Sequence, residues 1–239
     1  MARKWNMRDT KTLQRMGSTL SVSAHHGRRW LWAVALCCIG AVSAQTSTHP
    51  NLNAQLLVAA RNADVPAVQR ALAAGAAANS RNRLGKTALL LASEKGHVPL
   101  VQAMLRASAD VNLASLEGVT PLMAASYGGH AVIVRELLRA GARTEPSDRM
   151  HKTAWIYAAA QGHADVVAAL LDAKVPIDAT DEHRLTALMW ASGQGHGPVV
   201  QLLLNRQARS DLRDDRDMSA LDIARQQGHA EVVRLLQTR

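Results

Sequence analysis

Between residues 87 and 236 the apolar side chains fall into short clusters, and the clusters come in pairs. The first of each pair follows a hydroxyl residue, as in Thr87-Ala-Leu89, Thr120-Pro-Leu122, Thr153-Ala-Trp155, Thr186-Ala-Leu188 and Ser219-Ala-Leu221. It continues through small residues such as Ala158-Ala159-Ala160 and stops at a Gly-His step. The second carries a valine and then an apolar pair: Val101 with Met104-Leu105, Val134 with Leu137-Leu138, Val167 with Leu170-Leu171, Val200 with Leu203-Leu204, Val233 with Leu235-Leu236. These spacings predict two short helices per unit. The Thr or Ser caps the orphan amides of the first, and the Gly of Gly-His ends it. Pro66, Pro99 and Pro198 fall in the first turn of the second, where a missing amide hydrogen costs nothing.

The units keep strict register. Gly96-His97, Gly129-His130, Gly162-His163, Gly195-His196 and Gly228-His229 follow one another every 33 residues without insertion or deletion. Asn82, Ser115, Asp148, Asp181 and Asp214 stand five residues before each capping hydroxyl. A degenerate earlier unit is visible in Leu56-Leu57, Ala59-Ala60, Val68, Leu72 and Gly75-Ala76. Turn-forming stretches such as Ser108-Ala109-Asp110-Val111-Asn112 and Gly141-Ala142 separate one unit from the next.

This pattern resembles the ankyrin repeat, most closely at Gly118-Val-Thr120-Pro121-Leu122-Met123-Ala-Ala125. The family's Thr-Pro-Leu-His departs elsewhere: the proline is alanine in the other four full units, and the histidine is Leu90, Met123, Ile156, Met189 or Asp222. The resemblance implies an all-α repeat solenoid of six repeats, over about 49–81, 82–114, 115–147, 148–180, 181–213 and 214–239, with β-hairpin loops projecting along one side. It also implies a monomer that binds a protein partner through the hairpin tips and the concave face of the inner helices. Carried onto this chain, that surface consists of Arg83, Lys86, Glu117, Val119, Arg149, Met150, Lys152, Glu182 and His183 in the hairpins, with Glu94, Lys95, Tyr127, Gln161 and Gln194 on the inner helices. Tyr127 is the best single candidate for an anchor, since large aromatics dominate interface energetics. In the last unit Asp222 and Arg225 replace residues that are apolar or small elsewhere, as a terminal capping repeat requires.

Composition sharpens this picture. Apolar residues make up 48% of the chain but aromatics only 3%, with no Phe, so the core is built of small aliphatic side chains in close contact. The net charge of +9 is concentrated in residues 1–44, which carry seven Lys or Arg against one acid, Asp9. The remainder is nearly balanced and offers no footprint for nucleic acid.

Residues 1–44 read as a leader. Arg28-Arg29 precede the apolar run Trp30–Ile39, followed by Ala41-Val42-Ser43-Ala44 and the polar linker 45–48, the order of a signal peptide cleaved between Ala44 and Gln45. Met16 is an alternative start of more ordinary leader length. The run is about a dozen residues, whereas a spanning helix needs roughly 20. A periplasmic or secreted product is therefore expected, an inner-membrane anchor being the alternative. Cys37 and Cys38 lie in the leader, so the mature chain lacks thiols for disulfides, metal sites or nucleophiles.

Chemical motifs are absent from the sequence. It contains no Gly-x-Ser-x-Gly, no His-Glu-x-x-His and no Walker-type loop, and no cofactor is expected. The Gly-His histidines, one repeat apart, cannot converge on one ion, since packed helices lie roughly 8–10 Å apart. They read as ordering the turn between the two helices of each unit, while His49, His151 and His183 read as scattered. Asp211, Asp214, Asp215 and Asp217, interleaved with Arg209, Arg213 and Arg216, read as a solvated loop, and Arg81, Arg83 and Lys86 as an exposed hairpin. Trp155 and Trp190 read first as core between repeats and second as interface residues. The expected function is non-catalytic protein binding; an enzyme with a site between repeats is the competing class.

Overall fold

The computed structural model describes residues 50–238. The leader, its cleavage point at Ala44 and Gln45, the alternative start at Met16 and the linker 45–48 lie outside the described residues. Among the described residues twelve helices form six antiparallel pairs: α1 (Pro50–Arg61) with α2 (Val65–Ala73), α3 (Ala88–Glu94) with α4 (Val98–Arg106), α5 (Pro121–Tyr127) with α6 (Ala131–Arg139), α7 (Ala154–Ala160) with α8 (Ala164–Asp172), α9 (Ala187–Gly193) with α10 (Gly197–Asn205), and α11 (Ala220–Gln226) with α12 (Ala230–Gln237). The odd-numbered helices pack on one another in chain order as an inner row, and the even-numbered helices as an outer row. Among the described residues no helix is long and apolar enough to cross a membrane.

After α1 every inner helix has seven residues, too short to persist alone in water, so α3, α5, α7, α9 and α11 exist only through their stacking. Thr87, Thr120, Thr153, Thr186 and Ser219 cap these helices by accepting the amide hydrogen three residues on. A column of buried alanines, Ala59, Ala92, Ala125, Ala158, Ala191 and Ala224, runs through all six repeats and lets neighbouring inner helices approach closely. Leu89, Leu122, Trp155 and Leu188 fill a second buried column, and Met104, Leu137, Leu170, Leu203 and Leu236 do the same for the outer row. Extra methylenes in such a core typically cost about 1–3 kcal/mol.

The Gly-His step does more than separate two helices. Each glycine has positive φ, and the ring of the histidine in the following repeat lies on its α-carbon: His130 on Gly96, His163 on Gly129, His196 on Gly162, His229 on Gly195. Nε2 of His163, His196 and His229 lies 2.9, 2.9 and 3.0 Å from the carbonyl oxygens of Tyr127, Ala160 and Gly193, each 36 residues back. A carbonyl only accepts, so Nε2–H donates. These histidines therefore fasten neighbouring repeats at the C-terminal ends of the inner helices. They add this link to the ordering of the turn between the two helices of their own unit, where the His97 ring accepts from the Leu100 amide at the start of α4.

The β-hairpins are reduced as well. Among the described residues the extended loops pair only as isolated bridges, Arg81 with Thr87 and Thr180 with Thr186. The loops instead close on one side chain each. Oδ1 of Asn82, Asp148, Asp181 and Asp214 accepts from two loop amides, at 2.9–3.0 Å. Adjacent tips are tied by backbone bonds, from Leu116 to Leu84, Arg149 to Glu117 and Asp215 to His183.

Candidate protein-interaction face

The loop carboxylates fix the side chains that matter beside them. Asp148 is buried, and its second oxygen accepts from the Tyr157 hydroxyl. Burial, and the Asp148 carboxylate it donates to, push the Tyr157 phenol well above the usual tyrosine range, so its proton stays in place. One repeat on, Trp190 occupies the position of Tyr157 and its ring N–H donates to Asp181 at 2.9 Å. The Lys152 ammonium lies 4.5 Å from the centre of the Trp190 ring, a cation–π contact that links the loop before α7 to helix α9 of the next repeat. Trp155 is fully buried core, while Trp190 is half-buried and belongs to the loop side.

Asp214 is 2% exposed, which corrects the reading of its segment as wholly solvated. Burial pushes its carboxyl up, but the Met218 amide and the Arg216 guanidinium outweigh that and hold it below the usual aspartate range. Asp211, Asp215 and Asp217 do lie on the surface. His151 and His183 approach opposite oxygens of Glu182 at 3.5 and 3.6 Å, and Nδ1 of His183 lies 3.1 Å from Asp215, surface ion-pair contacts within and between neighbouring loops. Among the described residues no group of three or more histidine or carboxylate side chains is arranged to hold a metal ion.

The third repeat breaks the pattern of its neighbours. The position held by Leu91, Tyr157, Trp190 and Ile223 in other inner helices is Ala124, and the loop anchor is Ser115 instead of Asn or Asp. A hollow of about 440 Å³ results, lined by Ser115, Ala124, Gly128 and Tyr157 together with Lys86, Glu94, Glu117, Val119 and Tyr127. Five of the predicted surface residues thus converge on one place. Tyr127 is 54% exposed and meets Tyr157 edge to face, ring centres 5.6 Å apart. Lys86 and Glu94 pair across the rim at 2.8 Å, and Glu117 pairs with Arg149 at 3.2 Å.

A second hollow, of about 680 Å³, lies between the last two inner helices and holds His183 and Gln194 beside Trp190. The other predicted residues stand apart from both hollows. Arg83, Arg149, Met150 and Glu182 are exposed on the loop tips, and Gln161 is exposed at the end of α7. Nζ of Lys95 donates to the Arg61 carbonyl at 2.6 Å, capping α1 across the repeat boundary. Motif position alone does not mark Ser115, Ala124 and Tyr157 as site residues, nor Leu84 and Leu116, whose side chains are exposed on two adjacent tips. Comparison of equivalent positions at the 33-residue period is the signal that reveals the Ala124 and Ser115 departures.

Stacked helix pairs with side-chain-lined hollows along the inner row define a repeat solenoid of the interaction-scaffold class. The family model described as Ankyrin repeats (3 copies) matches residues 56–148, 100–181 and 155–239. The chain belongs to the ankyrin-repeat family, whose repeats are in general protein–protein interaction modules. No curated protein matches the chain.

Proposed function

We propose that this chain is an exported, non-catalytic binding module that grips one protein partner through its loop tips and inner-helix face. The observation that carries the reading is the convergence of Lys86, Glu94, Glu117, Val119 and Tyr127 on the hollow over Ala124, with an aromatic side chain left in solvent at its edge. Exposed aromatics beside a recess are the usual anchors of an interface. Leu84, Leu116 and Met150 extend the apolar surface along three successive tips. Export rests on the signal-like order of residues 28–48, which supports a working compartment in the periplasm or outside the cell.

The test is photo-cross-linking in intact cells, with a photoreactive amino acid placed at Tyr127, at Met150 or, as a control, at the exposed outer-helix residue Gln69. One protein adduct common to the first two positions and missing from the third is expected. Adducts that do not distinguish the inner from the outer helices would contradict the assigned surface. Mass measurement of the mature chain tests export: an N-terminus at Gln45 is expected, and an intact leader contradicts cleavage.

A further inference from the structure

We infer that the hollow over Ala124 receives a basic side chain, arginine or lysine, presented by the partner. This rests on the reading of the inner face as a protein-binding surface and names the chemistry of what it binds. The third repeat alone combines a small residue at the Tyr157 position with a loop anchor, Ser115, that carries no charge. Where Tyr157 and Trp190 close over their own loop aspartates, Ala124 leaves the space open.

The lining selects the occupant. Glu94 and Glu117 both border the hollow, whereas of their two cationic partners only Lys86 does, so the wall carries an excess of negative charge. The rings of Tyr127 and Tyr157, at 87° to one another, form a corner. Aromatic faces are negative and attract cations, Arg most often. Val119, with the buried Leu90 and Met123 beneath the hollow's floor, supplies apolar wall of the kind along which the methylenes of a long basic side chain lie while its head reaches polar groups. An apolar anchor would instead press hydrocarbon against two carboxylates and strip their water, which is unfavourable. An acidic side chain would face like charge.

The experiment uses the full chain with selectively labelled Ala and Met methyl groups, titrated in NMR with N-acetyl-arginine amide, N-acetyl-leucine amide and N-acetyl-glutamate amide. The arginine amide is expected to shift the Ala124 and Met123 methyl signals saturably, and the other two are not. Ala124→Leu, which places at this position the residue found at Leu91, is expected to weaken arginine binding at least about tenfold, as filling the recess removes the contact area. Tyr127→Ala, a change at an exposed residue that leaves the core intact, is expected to weaken it roughly fivefold, the size of a cation–π contact. Equal or tighter saturation by the leucine or glutamate amide, or arginine binding that survives both substitutions, would overturn the inference. A partner cross-linked at position 127 while the arginine amide fails to bind would sink this inference and leave the binding-module reading standing. Arginine binding at Ala124 without any cross-linked protein would overturn the protein-partner reading and with it the presented side chain, leaving only a recess that takes the free basic group.

Discussion

The imidazole of His196 lies on the α-carbon of Gly162 and places its Nε2 2.9 Å from the carbonyl oxygen of Ala160, joining two repeats through a residue that has no side chain. A Cβ added at Gly162 would stand 2.6 Å from the ring, closer than any real contact allows. The Gly-His pair is thus one device shared between successive repeats. It also accounts for the constant period, since an inserted residue would move the ring off its glycine.

Gly162 and Gly228 have the same φ of +77°, yet a Cβ at Gly228 meets nothing within 4 Å. Both alanine variants bear the left-handed conformation cost of about 1–2 kcal/mol. Only Gly162→Ala also displaces a neighbouring ring and its hydrogen bond, for about 1–2 kcal/mol more. Urea denaturation of the two variants measures the difference; equal losses would contradict the interlock.

Three non-glycine residues, Ser108, Lys174 and Gln207, adopt positive φ at the turn after an outer helix, where the first and third repeats use Gly75 and Gly141. Lys174→Gly and Gln207→Gly remove that strain. Each is expected to stabilise the chain by about 0.5–1 kcal/mol, the left-handed cost less the flexibility glycine adds to the unfolded state. Thermal unfolding reads the effect, and a loss of stability in both would refute it.

Trp190→Phe retains most of the ring area but leaves one oxygen of Asp181 without its donor. A hydrogen bond to a charged group contributes about 1.5–3 kcal/mol, so a loss of that order is expected. Trp155→Phe removes a buried ring N–H that has no hydrogen-bond partner, so its cost is that of the cavity left in the core and not of a lost hydrogen bond. Double-mutant cycles with Asp181→Ala in denaturant separate the roles: coupling is expected for Trp190→Phe and none for Trp155→Phe, and absence of coupling at Trp190 would contradict the assignment.

The last repeat is expected to weaken in acid. Asp222 closes a capping box with Ser219, whose hydroxyl and amide hydrogen bonds hold its carboxyl below the usual aspartate range. A depressed folded-state pKa contributes stability that is present above the unfolded value, near pH 4, and is lost as pH falls through the folded value. Hydrogen-exchange protection in α11 and α12, taken relative to the intrinsic exchange rate at each pH, should therefore fall below about pH 4 in the parent protein and change less in Asp222→Asn. An unchanged acid response in the variant would remove Asp222 from the account.

The fold was legible because its determinants are local and repeated. Thr120 and the Gly129-His130 step announce a capped helix and its end within a dozen residues, and a Thr or Ser followed by Gly-His recurs in the same register four more times. The role of His196 was not legible, because its partner lies 36 residues away and is a backbone carbonyl, which no sequence pattern marks. Nor does sequence tell Trp155 from Trp190, since burial depends on which face of the inner helix the next repeat covers. The exposed residues Glu117 and Tyr127 could be chosen by position in the motif, but the hollow between them is made by what is missing at Ala124.

The account's central claim is that binding resides on the inner-helix face around Ala124. Once the cross-linked partner is in hand, titration calorimetry with Tyr127→Ala and with the exposed outer-helix variant Arg135→Ala tests it most directly. Affinity is expected to fall roughly thirtyfold for the first, as for an interface hot spot, and to stay within about twofold for the second. Unchanged affinity in Tyr127→Ala, or a loss confined to Arg135→Ala, would place the binding face elsewhere.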